Sequence, residues 1–62
     1  MNEELKKALE QSQAVIVKLF DGNILLGWPM LLPDASAFKL YDDKNVHTVA
    51  VTDVEKVTRL IV

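Results

Sequence analysis

The spacing of apolar residues changes near residue 14. Before that point Leu5, Ala8 and Leu9 lie three and four positions apart, a narrow stripe that predicts a helix over about residues 2–12. Asn2 is a favourable N-cap for this helix, and two acidic residues follow it where the helix dipole favours negative charge. Because so short a helix is marginal alone, we expect its stripe to pack against another element.

From residue 14 the apolar period is two, which predicts β-strands. The first strand ends at Asp21-Gly22, a pair that predicts a tight hairpin turn because both residue types tolerate positive φ. The chain then returns as a second strand, Ile24–Leu32, with apolar residues on both faces. Gly27 indicates a bend or a close backbone approach in this strand, and Pro29 indicates a bulge or an edge position.

Three more short strands follow a loop at residues 33–37. The predicted segments are a third strand at Phe38–Tyr41, a turn at Asp42–Asn45, a fourth strand at Val46–Val51, a turn at Thr52–Lys56 and a fifth strand at Val57–Val62. A helix and five strands in 62 residues predict one domain over residues 1–62, mainly β, with a strongly bent antiparallel barrel over about residues 14–62. The fifth strand would be an apolar edge, which invites pairing with another chain.

Composition narrows the ways in which so small a domain is stabilised. The chain has no Cys and one His, so we expect neither a disulfide nor a metal site, and oligomerisation remains. Half of the residues are hydrophobic, more than a small interior holds. The acidic N-terminus is unlike a signal peptide and no apolar stretch approaches the ~20 residues of a membrane helix, so we expect a cytoplasmic protein without membrane contact. The net charge is −2 and the seven basic residues are scattered, unlike the basic patch of a typical nucleic-acid binder.

The order of these motifs resembles the Sm-like family, which includes the Sm and Lsm ring proteins and the bacterial host factor Hfq. The first family motif has alternating apolar residues, an Asp-Gly turn, an apolar residue and a glycine. Its counterparts in this chain are Val15, Val17, Leu19, Asp21-Gly22, Leu25 and Gly27. Asp34 corresponds to the Asp that opens the loop before the third strand, and residues 49–57 resemble the second motif. The resemblance spans nearly the whole chain.

This resemblance implies an SH3-like (Sm-like) barrel and a homo-oligomeric ring of about five to seven subunits. The fifth strand of one subunit would pair with the fourth strand of the next. The residues expected at this interface are Val49, Val51, Val57, Leu60 and Ile61.

The resemblance also implies binding of RNA or another single-stranded nucleic acid. The candidate residues are Asp34, Ser36, Lys39, Tyr41 and Thr52. Tyr41 and Lys39 share a strand face, where an aromatic ring stacks a base and a cation holds a phosphate. However, Ala37, Ser36 and Ala50-Val51 occupy positions where family members carry base-reading, stacking or basic residues. The alternative is therefore an oligomeric scaffold or protein-interaction module that binds another protein and no nucleic acid.

Enzymatic activity is not expected from this sequence. No sequence motif places a nucleophile or an acid near His47. Asp42-Asp43, followed by Lys44 and Asn45, predicts a solvated turn. Nothing in the chain indicates a cofactor. Trp28 and Met30 are expected in the core or in a subunit contact.

Overall fold

The computed structural model describes residues 2–33 and 36–61. Its elements are α1 (Glu3–Gln11), β1 (Val15–Leu19), β2 (Ile24–Leu31), β3 (Ala37–Tyr41), β4 (Val46–Ala50), a 3-10 turn (Val51–Asp53) and β5 (Val54–Arg59). The strands form one antiparallel sheet in the order β4-β3-β2-β1-β5. The prediction of a mainly β chain with a short N-terminal helix is thus confirmed. The sheet is not closed, because β4 and β5 are its two edges.

Helix α1 is capped at both ends. The Asn2 side-chain oxygen accepts hydrogen bonds from the Glu4 and Leu5 backbone N–H groups at 2.8 and 3.3 Å, as the N-cap prediction requires. Ser12 ends the helix in the left-handed region, with φ 53°, and its backbone N–H bonds to the Ala8 carbonyl. Leu5 and Ala8 are fully buried. The apolar stripe therefore packs on this chain's own sheet, next to β2 and β5.

The core lies between α1 and the inner face of the sheet. Every strand except β2 contributes at least one buried apolar side chain to this core. The buried set is Leu5, Ala8, Val15, Val17, Phe38, Leu40, Val49 and Val57. This is a small core, so the chain has little apolar burial to spare.

The hairpin between β1 and β2 forms where the Asp-Gly pair predicts it. Gly22 has φ 94°, a conformation that L side chains rarely adopt. The Asp21 carboxylate accepts hydrogen bonds from the Asn23 backbone N–H at 2.9 Å and from the Asn23 side-chain amide at 3.0 Å. Both contacts stabilise the turn and set the register of the two strands.

Strand β2 pairs with β1 along its first half and with β3 along its second half. Residues 24–27 pair with β1 and residues 28–31 pair with β3, so the partner changes at Gly27. A Cβ atom at Gly27 would lie 2.6 Å from the Tyr41 carbonyl oxygen. The predicted close backbone approach at this glycine is confirmed.

Pro29 lies in β2 opposite Leu40, beyond the last residue that pairs with β1. The Leu19 N–H bonds to the Asn23 carbonyl at 2.8 Å, so the odd-numbered residues of β2 direct their main chains toward β1. The Pro29 nitrogen therefore points to the side that β1 leaves uncovered. This is an edge-type position, where a missing N–H costs no ladder hydrogen bond.

The C-terminal strands differ from the predicted bounds. Strand β4 ends at Ala50 and β5 runs from Val54 to Arg59, whereas the apolar pattern predicted a fifth strand at residues 57–62. The register shifts at Lys18/Leu19, so that Val54 pairs with Leu19 although Lys56 pairs with Lys18. This bulge inserts an extra residue into β5. Its two core-facing valines, Val54 and Val57, are therefore three positions apart and do not show the period of two that predicts a strand. Val62 is not among the described residues.

Candidate interaction surface

Alternate residues of the strands point away from α1 and form a second surface, which we call the outer face. They alternate with the buried core residues along β1, β3, β4 and β5, and Gly27 is the buried residue of β2. The apolar or aromatic residues of the outer face are Ile16, Ile24, Leu26, Trp28, Met30, Tyr41 and Val46. Large apolar side chains in a row on an exposed sheet face are the main surface feature of this molecule.

Two aromatic rings form the centre of the outer face. Trp28 and Tyr41 are directly opposite in the β2–β3 register, and their ring centroids are 6.3 Å apart at a tilt of 32°. Val46 lies opposite Tyr41 on β4. Lys39 lies two residues from Tyr41 on β3, opposite Met30. The predicted pairing of an aromatic ring with a cation on one strand face is therefore present, with Trp28 added.

An open groove of about 1050 Å³ borders this aromatic pair. Its apolar lining comes from Ala14, Leu26, Trp28 and Leu60, and its acidic lining from Asp42 and Asp43. Gln11 at the end of α1, and Ser12 and Gln13 after it, also line the groove. The groove thus has an apolar floor and a negatively charged rim.

Asp42 is held by the turn that follows β3. Its side-chain oxygen accepts hydrogen bonds from the backbone N–H groups of Lys44 at 2.8 Å and Asn45 at 2.6 Å. These bonds, Lys44 first, lower the pKa of Asp42 below 3.8, because they favour the charged form. Asp42 therefore stays ionised at neutral pH and keeps the groove rim negative.

The other end of the outer face is basic. Lys18 lies opposite Lys56 in the β1–β5 register, and the Lys18 ammonium pairs with the Glu55 carboxylate at 3.2 Å. Both partners of this ion pair are about half exposed, so it contributes little to stability. Ile24 lies beside Lys18 on β2.

The predicted nucleic-acid residues fall in two places. Lys39 and Tyr41 lie together on the outer face. Ser36 and Thr52 lie at the far end of β3 and β4, where the Val51 N–H bonds to the Ser36 carbonyl at 2.9 Å. Asp34 is outside the described residues. The structure thus separates the Lys39–Tyr41 pair from the loop residues.

The predicted interface residues also divide. Val49 and Val57 are buried in this chain's core, so their side chains face α1 and the inner sheet rather than a neighbour. Val51 is partly buried and packs against the same core. Leu60 and Ile61 are exposed and follow β5, with the Leu60 N–H bonded to the Ala14 carbonyl at 2.9 Å.

The sequence predicts Trp28 and Met30 in the core or in a subunit contact. Each is about half exposed in the single chain, so neither lies in the core. The groove was not anticipated, because it joins the α1–β1 link, β2 and the β3–β4 turn. The apolar residues on both faces of β2 were a signal for it, since a strand with one solvated face normally alternates apolar and polar residues.

Comparison of the chain with protein families, with curated proteins and with solved structures gives no match. The Sm-like resemblance therefore stays a prediction from the sequence. In residues 2–33 and 36–61, no helix is long and apolar enough to cross a membrane. The same residues contain no group of three His, Cys, Asp or Glu side chains placed to hold a metal ion.

Proposed function

We propose that this chain is the subunit of a Sm-like homo-oligomeric ring, assembled by pairing β5 of one subunit with β4 of the next. The observation that carries this proposal is the open antiparallel sheet, whose two edges belong to β4 and β5. A head-to-tail contact uses a different surface on each partner, and it closes into a ring when the rotation between subunits permits.

The main chain of β4 supports this pairing. The Val51 N–H bonds to the Ser36 carbonyl and the Asp42 N–H bonds to the Asn45 carbonyl, at either end of the β3–β4 ladder. Since hydrogen-bonded pairs alternate along an antiparallel ladder, Val46, Thr48 and Ala50 direct their N–H and C=O groups toward the free edge. These groups are the ones that an added strand would bind.

The main chain of β5 supports it in the same way. The Leu60 N–H bonds to the Ala14 carbonyl, which makes Thr58 and Lys56 the residues whose main chains face β1. Val57 and Arg59 then direct their main chains outward. The side chains of Val49 and Val57 are buried in the core, so the contact between subunits would be made by backbone hydrogen bonds. The exposed side chains of Leu60 and Ile61 would add apolar contact area next to these bonds.

The test is the solution mass of the chain by light scattering across a dilution series, for the wild type and for Thr48→Pro. Proline removes the outward N–H of Thr48 and leaves the β3–β4 ladder bonds in place, so the ring mass should be lost. Thr48→Val is the matched control, because it keeps the N–H and should keep the mass. A wild-type monomer at all concentrations, or a Thr48→Pro variant with the wild-type mass, would overturn the proposal.

Binding of single-stranded nucleic acid is a second candidate function. The observation in its favour is the Trp28–Tyr41 ring pair with Lys39 two residues away. Fluorescence anisotropy with a labelled RNA oligomer at low salt tests it, and Tyr41→Ala should weaken binding about tenfold. Phe20→Ala, which removes an exposed ring in the β1–β2 hairpin, is the control. Binding that is equal in both variants would argue against a site at Tyr41. No binding at low salt, or binding that is insensitive to salt, would argue against this function and favour the scaffold role.

A further inference from the structure

The outer face presents more apolar area than a monomer of this size normally exposes. Ile24, Leu26, Trp28, Met30, Tyr41, Val46 and the neighbouring Leu60 each expose between 37% and 64% of their surface. With about 200 Å² for a fully exposed large apolar side chain, these residues together present roughly 700 Å². The largest apolar patch of a typical monomer is about 300–600 Å², and each partner of a stable pair buries about 800 Å².

Side chains of opposite charge flank Tyr41 along the chain. Lys39 lies two residues before Tyr41, and Asp43 lies two residues after it, on the groove rim. Among the described residues, neither Lys39 nor Asp43 belongs to an ion pair within the chain. A two-fold axis through Tyr41 exchanges the two ends of β3 and brings Lys39 of each copy to Asp43 of the other.

We propose that the outer face binds the outer face of a second copy of this chain, about a two-fold axis at the Trp28–Tyr41 pair. The contact has an aromatic centre, an apolar surround and two Lys39–Asp43 ion pairs at its rim. It leaves the edge main chains of β4 and β5 free, so it joins two rings, or two single chains if no ring forms.

A second copy fits this surface better than a nucleic acid does. In the described part of the chain, Lys39 is the one cation beside the ring pair on β3, and Asp42 and Asp43 lie on the same groove. Carboxylates at that position repel phosphate, whereas a second copy presents a lysine to them. Isologous contacts of this type are the commonest in homo-oligomers.

The test is a charge exchange at Lys39 and Asp43, measured by sedimentation equilibrium with the emission of Trp28, the only Trp in the chain. Lys39→Asp and Asp43→Lys should each weaken face pairing at least about tenfold, because each places like charges together. An equimolar mixture of the two variants should restore pairing, since each copy then supplies the missing charge. Trp28 emission should move to shorter wavelength as pairing increases. Single variants that pair like the wild type, or a mixture that does not recover, would overturn the proposal.

A second pair of variants does not depend on the rim charges. Leu26→Lys places a cation on the apolar area and should abolish pairing. Phe20→Lys changes an exposed ring in the β1–β2 hairpin, away from the Trp28–Tyr41 pair, and should leave pairing intact. Repeating both in the Thr48→Pro chain separates face pairing from edge pairing. We expect the Thr48→Pro chain to form a dimer through the outer face, whether or not the wild type forms a ring. A Thr48→Pro chain that stays monomeric while RNA quenches Trp28 at low salt would show a nucleic-acid surface and overturn face pairing.

Discussion

At Gly27 the absence of a side chain allows β3 to approach β2 closely. The position of a Cβ atom there would be 2.6 Å from the Tyr41 carbonyl oxygen and 3.2 Å from a Leu40 side-chain carbon. The first of these neighbours is backbone, which moves only if the strands separate. Glycine at this position therefore decides the geometry of the partner change in β2.

Gly27→Ala should lower the free energy of unfolding by about 1–3 kcal/mol, because the added methyl group forces β2 and β3 apart. Urea denaturation measures it. Gly22→Ala is an informative comparison, since no atom beyond its two chain neighbours lies within 4 Å of its Cβ position and its cost comes from positive φ. A Gly27→Ala variant as stable as the wild type would show that the two strands do not approach as closely as described.

Asp42 links the stability of the β3–β4 turn to pH. Its folded pKa lies below the unfolded value of 3.8, because two backbone N–H groups bind the carboxylate. The group therefore contributes stability above pH 3.8, and this contribution is lost as pH falls through the folded pKa. Asp42→Asn keeps an oxygen acceptor but does not titrate. The difference in unfolding free energy between wild type and Asp42→Asn should change below pH 3.8 and stay constant from pH 5 to 7.

Helix α1 depends on the sheet, and the sheet depends on the helix. The helix has nine residues, too few to be stable alone, and its buried Leu5 and Ala8 cover the strands. Arg59 of β5 donates hydrogen bonds to the Glu4 carboxylate in the first turn of the helix at 2.6 Å and to the side chain of Gln13, just after the helix, at 3.3 Å. We expect helix and sheet to unfold together.

Asn2→Ala should destabilise the whole domain by about 1 kcal/mol, because two backbone N–H groups lose their acceptor. Thermal and urea unfolding followed by circular dichroism measure the change. Lys7→Ala, at an exposed position in the same helix, is the matched control and should be nearly neutral. A loss of helical signal that precedes loss of the sheet would contradict the joint unfolding.

At the scale of the whole molecule, a small core coexists with a large exposed apolar face and two open sheet edges. If copies associate through these surfaces, the folded state is stabilised by mass action and the unfolding temperature rises with protein concentration. We expect this rise in the wild type and a smaller one in Thr48→Pro. Differential scanning calorimetry over a hundredfold concentration range checks it, and a midpoint independent of concentration would argue for a self-sufficient monomer.

Local signals in the sequence determined the helix, its cap and the first hairpin. Asn2, the Leu5–Ala8 stripe and Asp21-Gly22 act through contacts a few residues away, so their spacing along the chain is sufficient to predict them. Gly27 carried a correct signal for a close approach, although its partner, the Tyr41 main chain, is known only from the fold.

Tertiary structure decided the rest. The one-residue bulge in β5 arises from its pairing with β1, and the groove joins segments far apart in the sequence. Which face of β2 is buried also depends on where α1 packs, because both faces of that strand are apolar. Strand order and register decide where the Trp28–Tyr41 pair, its flanking charges and the open sheet edges lie. Composition and periodicity do not predict strand order or register.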